Sequence, residues 1–341
     1  MNKVFKQIGS WILAIIVTVL IMNVVLAFYN RTAGWIDRSK GATSAILNPG
    51  SSIVFGTEGR GYHTVDKRGY VNNVDKLADN YVVAIGASHS QGKEVGTYER
   101  YYDLLNSWLG YEDEAYVYCV SQDANYFPSI VKGFSALVEE FPDSSKIIIE
   151  TGKTTFTVKE LEKALDQRGF DEKETGENIW NTLSFKRKLQ IYLKEYSPLL
   201  YNVNSKLSEI QKISKDNTAG NTAKKGDSLE DYEEALRKTF ELMTSVYDGE
   251  IVILFHPNVV IEEDGSLSIE ETDTDAVFMN VCDSYGVTVV NMADKFISEY
   301  ENDYTLPYGF SNSKPGSGHL NSDGHRMIAE ELMSVVRPEE N

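Results

Sequence analysis

The chain has 341 residues, a formal net charge of -18 and a hydrophobic share of 42%. That share suits an ordinary globular core, while the acidity argues against nucleic acid as the main partner, because phosphate binding needs clustered Lys and Arg. The two cysteines, Cys119 and Cys282, lack CxxC spacing and read as buried free thiols, and with no HExxH or clustered His/Asp pattern the chain gives no basis for a metal or other cofactor.

Ile8 to Tyr29, IGSWILAIIVTVLIMNVVLAFY, holds no charge. It is long enough to cross a hydrocarbon core of about 30 Å as a helix. A cleaved signal peptide would carry a shorter apolar region of about 7–15 residues and end in a small-x-small site. Here the run ends Leu26-Ala27-Phe28. We therefore expect an uncleaved transmembrane anchor at 8–29, behind a short tail at 1–7. Lys3 and Lys6 on one side nearly balance Arg31, Arg38 and Lys40, offset by Asp37, on the other, so charge alone does not orient it. Residues 30–54 read as a linker and 55–337 as one domain, entered through a stretch with glycines at 56, 59, 61 and 69.

Tyr81-Val82-Val83-Ala84-Ile85 is a continuous apolar, β-branched run, the mark of a strand buried on both faces. A helical stretch at 98–109, a strand at 115–120, a helix at 129–141 and a strand at 146–150 follow. Strand and helix alternate, which predicts an α/β fold with a parallel sheet and crossover helices. From about 158 to 245 the periodicity is helical, broken by a polar, Gly-containing loop at 214–228; this reads as a helical insertion. Strands at 250–255 and 287–291, a helix at 274–285 and a last helix at 322–336 complete a five-stranded, flavodoxin-like sheet.

Ligands of such sheets bind at the carboxyl ends of the strands. Ser88 lies just past the first strand in Gly86-Ala87-Ser88-His89-Ser90-Gln91-Gly92, where small neighbours permit a tight turn. Its hydroxyl would project into the crevice near a helix N-terminus, which favours a developing oxyanion. A serine needs a neighbouring base. Of five histidines, His319 lies in a Gly-rich loop, Gly318-His319-Leu320-Asn321-Ser322-Asp323-Gly324-His325, that should reach the same end of the sheet. Serines in such turns more often cap helices than react. His89 reads as a pocket wall, His256 as a structural or substrate-contacting residue, and His325 as a capping or packing residue.

Together the two blocks resemble the SGNH/GDSL hydrolases. The family's Gly-Asp-Ser block after a strand matches Gly86 to Gly92, and its His-Leu-Asn-x-x-Gly-His block before a C-terminal helix matches His319 to His325. Tyr62 to Tyr70 is similar to the lead-in of membrane-anchored members. The resemblance spans about 55–155 and 248–336. It implies Ser88 as nucleophile, His319 as general base, the Ser88 N–H as an oxyanion donor, and pocket roles for Gly86, Ala87, His89, Ser121, Thr154, His256 and Asn321. Ala87 stands where the family has Asp, Thr154 where it has the oxyanion Asn, and the second-block glycine falls near Ser121 or Ala124. Gly316 and Ser317 occupy the positions of the usual acid, so either Asp294 or Asp303 substitutes, or the site is a Ser–His dyad, or activity is lost. The resemblance also implies an extracytoplasmic domain. It leaves three functions: an esterase acting on acyl groups, acetyl above all, of a cell-surface glycan; an O-acetyltransferase working with a membrane-bound O-acyltransferase; and a silent domain that binds glycan or a partner.

Overall fold

The computed structural model describes residues 2–38, 41–166, 184–203 and 227–337. The first apolar run forms helix α1 (Asn2–Ala27), and the stretch Lys3–Ala27 is long and apolar enough to cross a membrane. Phe28 and Tyr29, included in the expected span, lie in the turn that follows it.

Residues 30–54 are not a linker. They build β1 (Trp35–Asp37), β2 (Ala45–Leu47) and β3 (Ser52–Phe55); β1 pairs antiparallel with β2, and β3 with β4 (Gly61–Thr64). The reason is a small core of their own, in which Ala33, Leu47, Ile53, Val65 and Val71 are buried together. Strands this short show no periodicity long enough to read.

The main sheet contains β5 (Leu77–Ile85), β6 (Ala115–Cys119), β7 (Lys146–Thr151), β8 (Glu250–Phe255) and β11 (Thr288–Asn291), all parallel, in the order β11-β8-β7-β5-β6. The first of these strands lies between the second and third, the flavodoxin-like 2-1-3-4-5 arrangement. β5 is followed by the single turn α2 (Ser88–Gln91) and by α3 (Tyr101–Trp108). Then come α4 (Phe127–Glu140), α5 (Val158–Asp166), α6 (Phe185–Tyr196) and α7 (Leu229–Val246). A hairpin of β9 (Val259–Ile261) and β10 (Leu267–Ile269), then α8 (Asp273–Ser284), α9 (Ala293–Asp303) and α10 (Ser322–Val336), complete the described elements.

The continuous apolar strands are explained by helices on both faces. Val83, Ile85, Ile147, Ile149 and Ile253 pack with Phe134, Leu161, Phe240 and Phe278 on one side. Val82, Ala84, Ile148, Val252 and Leu254 pack with Leu105, Phe296 and Ile328 on the other. Each such side chain contributes about 1.5–3 kcal/mol by leaving water. α5 and α7, read as part of an insertion, supply Leu161 and Phe240 to the first layer and so belong to the domain core. Residues 214–226 of the polar break lie outside the described residues. Cys119 and Cys282 are buried free thiols, in different layers of the core.

Candidate active site

The site forms where β5 and β7 run side by side and the chain changes direction across the sheet. After β5 the backbone turns sharply at Gly86. A Cβ there would lie 2.2 Å from Glu150 Oε2, so only glycine admits that carboxylate. Glu150, near the end of β7, accepts the Ala87 N–H at 2.7 Å and thereby fixes the turn that presents Ser88. Ser88 opens α2, which closes after one turn on Gly92 at φ 60°.

His319 comes from the loop before α10. Asn321 builds that loop: its Oδ1 accepts the Gly324 N–H at 2.9 Å, and its Nδ2 donates to the carbonyls of Leu306 and Gly309 at 2.8 and 3.1 Å. These bonds make Asn321 the N-cap of α10. The pocket role expected for it is corrected accordingly: its amide holds the loop and is not left for substrate. The loop brings His319 Nε2 to 3.0 Å from Ser88 Oγ.

The orienting acid is Glu58, at the tip between β3 and β4. Its Oε2 accepts from His319 Nδ1 at 2.7 Å and its Oε1 accepts the His319 backbone N–H at 2.9 Å. Gly318, at φ +91°, makes this grip possible, since a Cβ there would meet Glu58 Oε1 at 2.0 Å. The tip is stapled in place by Gly59 N–H to Asn312 Oδ1 and Arg60 N–H to Glu94 O, both 2.8 Å. Asp294 and Asp303, the acids that sequence position suggested, sit exposed on α9. Neither is needed, because Glu58 already occupies Nδ1.

A second carboxylate, Glu94, is almost fully buried with Oε1 3.8 Å from His319 Nε2. Its other oxygen has no hydrogen-bond partner among the described residues. Burial pushes its carboxyl above the usual range, against the pull of His319 and Lys93. Beneath the serine lies a further pair. His256 Nε2 is 2.5 Å from Glu150 Oε1, and its Nδ1 is 2.9 Å from the Tyr308 hydroxyl, all three side chains being buried. His256 is thus the structural residue of its two readings, since both ring nitrogens are engaged within the protein.

His89 lies between the rings of His256 and His319, 4.8 and 5.1 Å from their centroids, and its Nδ1 accepts the Leu320 N–H at 3.3 Å. Burial holds its pKa well below the ordinary value, so it is a neutral wall of the site. Ser121 is buried beside the turn, where the Gln122 N–H bonds Gly86 O at 3.1 Å. Ala124, the other position near which the second-block glycine was expected to fall, takes a left-handed φ of 58°. The oxyanion role expected for Thr154 does not fit. Its hydroxyl proton goes to Asp275 at the head of α8, within a cluster with Thr272 and Thr274, and the residue is fully buried. His325 is buried, accepts the Tyr101 N–H and stacks on the Tyr101 ring.

Sequence reading missed Glu58, Glu94, Glu150 and Tyr308. One signal was present: Glu150 is a lone acid ending the apolar run Lys146-Ile147-Ile148-Ile149, and a charge there must meet a partner. Glu58 had no comparable signal.

Fold and site together define an α/β protein that holds a Ser–His–Glu arrangement at the carboxyl ends of parallel strands. No family model and no curated protein matches the chain. Among solved structures it is similar to the acetyl xylan esterase AlAXEase, at 10% identity over 75% of this chain and 100% of that one, with a TM-score of 0.41. It is also similar to the psychrotrophic esterase EstA from Pseudoalteromonas sp. (10% identity, 75% and 96% covered, TM-score 0.39). A third is a putative lipolytic protein of the G-D-S-L family from Desulfitobacterium hafniense DCB-2 (12% identity, 75% and 99% covered, TM-score 0.37).

Proposed function

We propose that the chain is a membrane-anchored serine esterase that removes acyl groups, acetyl above all, from a cell-surface glycan, with its domain outside the cytoplasm. The observation that carries this reading is the continuous line from Ser88 Oγ through both ring nitrogens of His319 to Glu58, at 3.0 and 2.7 Å. These are the distances a general base needs to take a proton and an acid needs to hold the ring. Such a line weighs against a silent binding domain.

In the reaction, His319 Nε2 takes the hydroxyl proton as Ser88 Oγ attacks the ester carbonyl carbon. Glu58 keeps the Nδ1 proton in place and stabilises the imidazolium. The Ser88 N–H, at the head of α2, faces no helical acceptor and is placed to meet the oxyanion. As the tetrahedral adduct collapses, His319 returns the proton to the leaving alcohol oxygen and leaves an acyl-serine. Water, deprotonated by the same nitrogen, then attacks the acyl carbon, and as this adduct collapses the acid leaves and His319 returns the proton to Ser88 Oγ.

The assignment of a glycan ester rests on the family resemblance. A membrane-proximal substrate draws support from a cavity of about 440 Å³ between the end of α1 and the site, lined by Phe28, Tyr29, Gly59, Arg60, Glu94 and Phe310. The same opening suits a second reading, in which a membrane-bound O-acyltransferase supplies the acyl group and a sugar hydroxyl replaces water.

Labelling with a fluorophosphonate tests both readings. The wild-type chain should label, and Ser88→Ala and His319→Ala should not. Hydrolysis of an aryl acetate by the chain alone would favour the esterase. Labelling without hydrolysis until a sugar acceptor is added would favour transfer. A folded wild-type chain that does not label would overturn the serine mechanism.

A further inference from the structure

The segment 184–203 carries a feature that the ester chemistry does not use. Its inward side is committed: Ile191 packs against Gly34, Glu195 accepts from Asn48 at 2.9 Å, and Arg187 pairs with Asp37 at 2.8 Å. Its outward side is apolar and exposed. Phe185 is 81% exposed, Leu189 46%, Leu193 47%, Tyr196 66%, Leu200 56% and Val203 50%. Within α6 the spacing of four, four and three residues keeps Phe185, Leu189, Leu193 and Tyr196 on one helical stripe, and after a break at Ser197 (φ -126°, ψ 74°) Leu200 and Val203 extend the apolar surface from the short helical stretch 198–203. A soluble surface does not usually gather so many large apolar groups in one patch.

The neighbours of this stripe say what it meets. Asn23, inside the last turn of α1, accepts from Ser197 Oγ at 3.1 Å and from the Leu199 N–H at 3.2 Å. Asn30 and Asn202 bond each other at 2.9 Å, and the Arg31 guanidinium lies 5.5 Å from the Tyr196 ring. Asn23 precedes Ala27, the end of α1, by four residues, so Leu199 and Leu200 lie about 6 Å inside the end of the span. Interfacial helices bury their apolar faces by about 5–10 Å. The depth therefore matches. The charge matches too: in a chain of net charge -18, this segment holds Lys186, Lys188 and Lys194, besides the Arg187 paired with Asp37, against Glu195 alone. Basic flanks beside an apolar stripe favour anionic headgroups.

We propose that the apolar face of 184–203 lies in the headgroup and acyl boundary of an anionic phospholipid bilayer, as a second membrane contact beside α1. It rests on α1 being a true span. With two contacts the domain cannot swivel on its anchor, and the site, whose Glu58 tip packs near Tyr29 through Gly56, is held at a fixed height above the lipid.

The test uses the full chain in nanodiscs of phosphatidylcholine and phosphatidylglycerol. Single nitroxide labels are placed by Leu193→Cys, Leu200→Cys, the mid-span Val17→Cys and Asp113→Cys at the other end of the sheet. Accessibility to oxygen is compared with accessibility to a water-soluble nickel chelate. The labels at 193 and 200 should favour oxygen, as the one at 17 does, while that at 113 favours nickel. If 193 and 200 favour nickel while 17 favours oxygen, the lipid contact is wrong and the span stands. A nickel-accessible label at 17 would remove the span and the contact together. Labels at 193 and 200 shielded from both probes, with dipolar broadening between copies, would assign the face to protein and overturn the proposal.

Discussion

In the proposed reaction, Glu58 is the residue on which the chemistry turns. It makes two bonds to one histidine, to the ring at 2.7 Å and to the backbone N–H at 2.9 Å, so it sets the tautomer of His319 and the position of its loop together. Glu58→Gln keeps the shape but offers a neutral amide, which can donate as well as accept and so favours the wrong ring tautomer. By analogy with the loss of an orienting carboxylate in serine proteases, kcat should fall by about 10⁴-fold. Steady-state hydrolysis of an aryl ester checks this; a loss under tenfold would mean that His319 works as one member of a dyad. The pairing of Ser88 with His319 was legible because each sits in a contiguous block whose turn and cap are local. Glu58 was not, because 261 positions separate it from its histidine and nothing beside it advertises a partner.

At the scale of elements, the site depends on how two loops approach each other. The β3–β4 tip and the His319 loop touch through Gly318, whose positive φ and missing Cβ are both required. In Gly318→Ala the new methyl overlaps the Glu58 carboxylate, and the left-handed backbone adds about 1–2 kcal/mol of strain. Activity should drop towards that of Glu58→Gln while the fold persists. Kinetics and circular dichroism on the same preparation test the pair of outcomes; full activity would show that the acid can move aside without cost. The glycines of this lead-in were read from sequence as irregular chain. Their function as close-approach points appears only once the opposing loop is in place. Thr154 shows the converse: its position in the chain fits an oxyanion donor, but the neighbouring head of α8 takes its proton.

Across the whole molecule, burial of histidine couples stability to pH. His63 and His325 are buried, and burial, aided by the nearby Arg100, lowers each pKa to about 3. The unfolded chain takes up protons on both near pH 6.5, whereas the folded chain refuses them. Their contribution is therefore complete above pH 6.5 and is lost as pH falls towards 3, by about 1.4 kcal/mol per unit for each group. Asp66, Glu94 and Asp103 act in the opposite sense, because burial raises their pKa values and the folded state protonates first. A difference measurement isolates the histidine effect. Denaturant unfolding of the full chain in micelles at pH 6 and pH 5 should show a slope for His325→Gln that is shallower by about 1.4 kcal/mol per pH unit. Equal slopes would mean that His325 is protonated in the folded state.

The sequence alone determined the alternation of the main strands and helices, because burial on both faces of a sheet writes long apolar runs into a chain. It also pointed to the two blocks that bring Ser88 and His319 within 3.0 Å, because tight turns and helix caps demand glycine and asparagine at fixed short spacings. Tertiary structure decided the rest. It alone brought a glutamate from a short hairpin onto His319, placed Glu150 and His256 beneath the serine, took Thr154 and Asn321 out of the pocket, and set an apolar stripe beside the end of α1. Each of these depends on groups that are distant in sequence and close in space, and no local propensity or period encodes such distances.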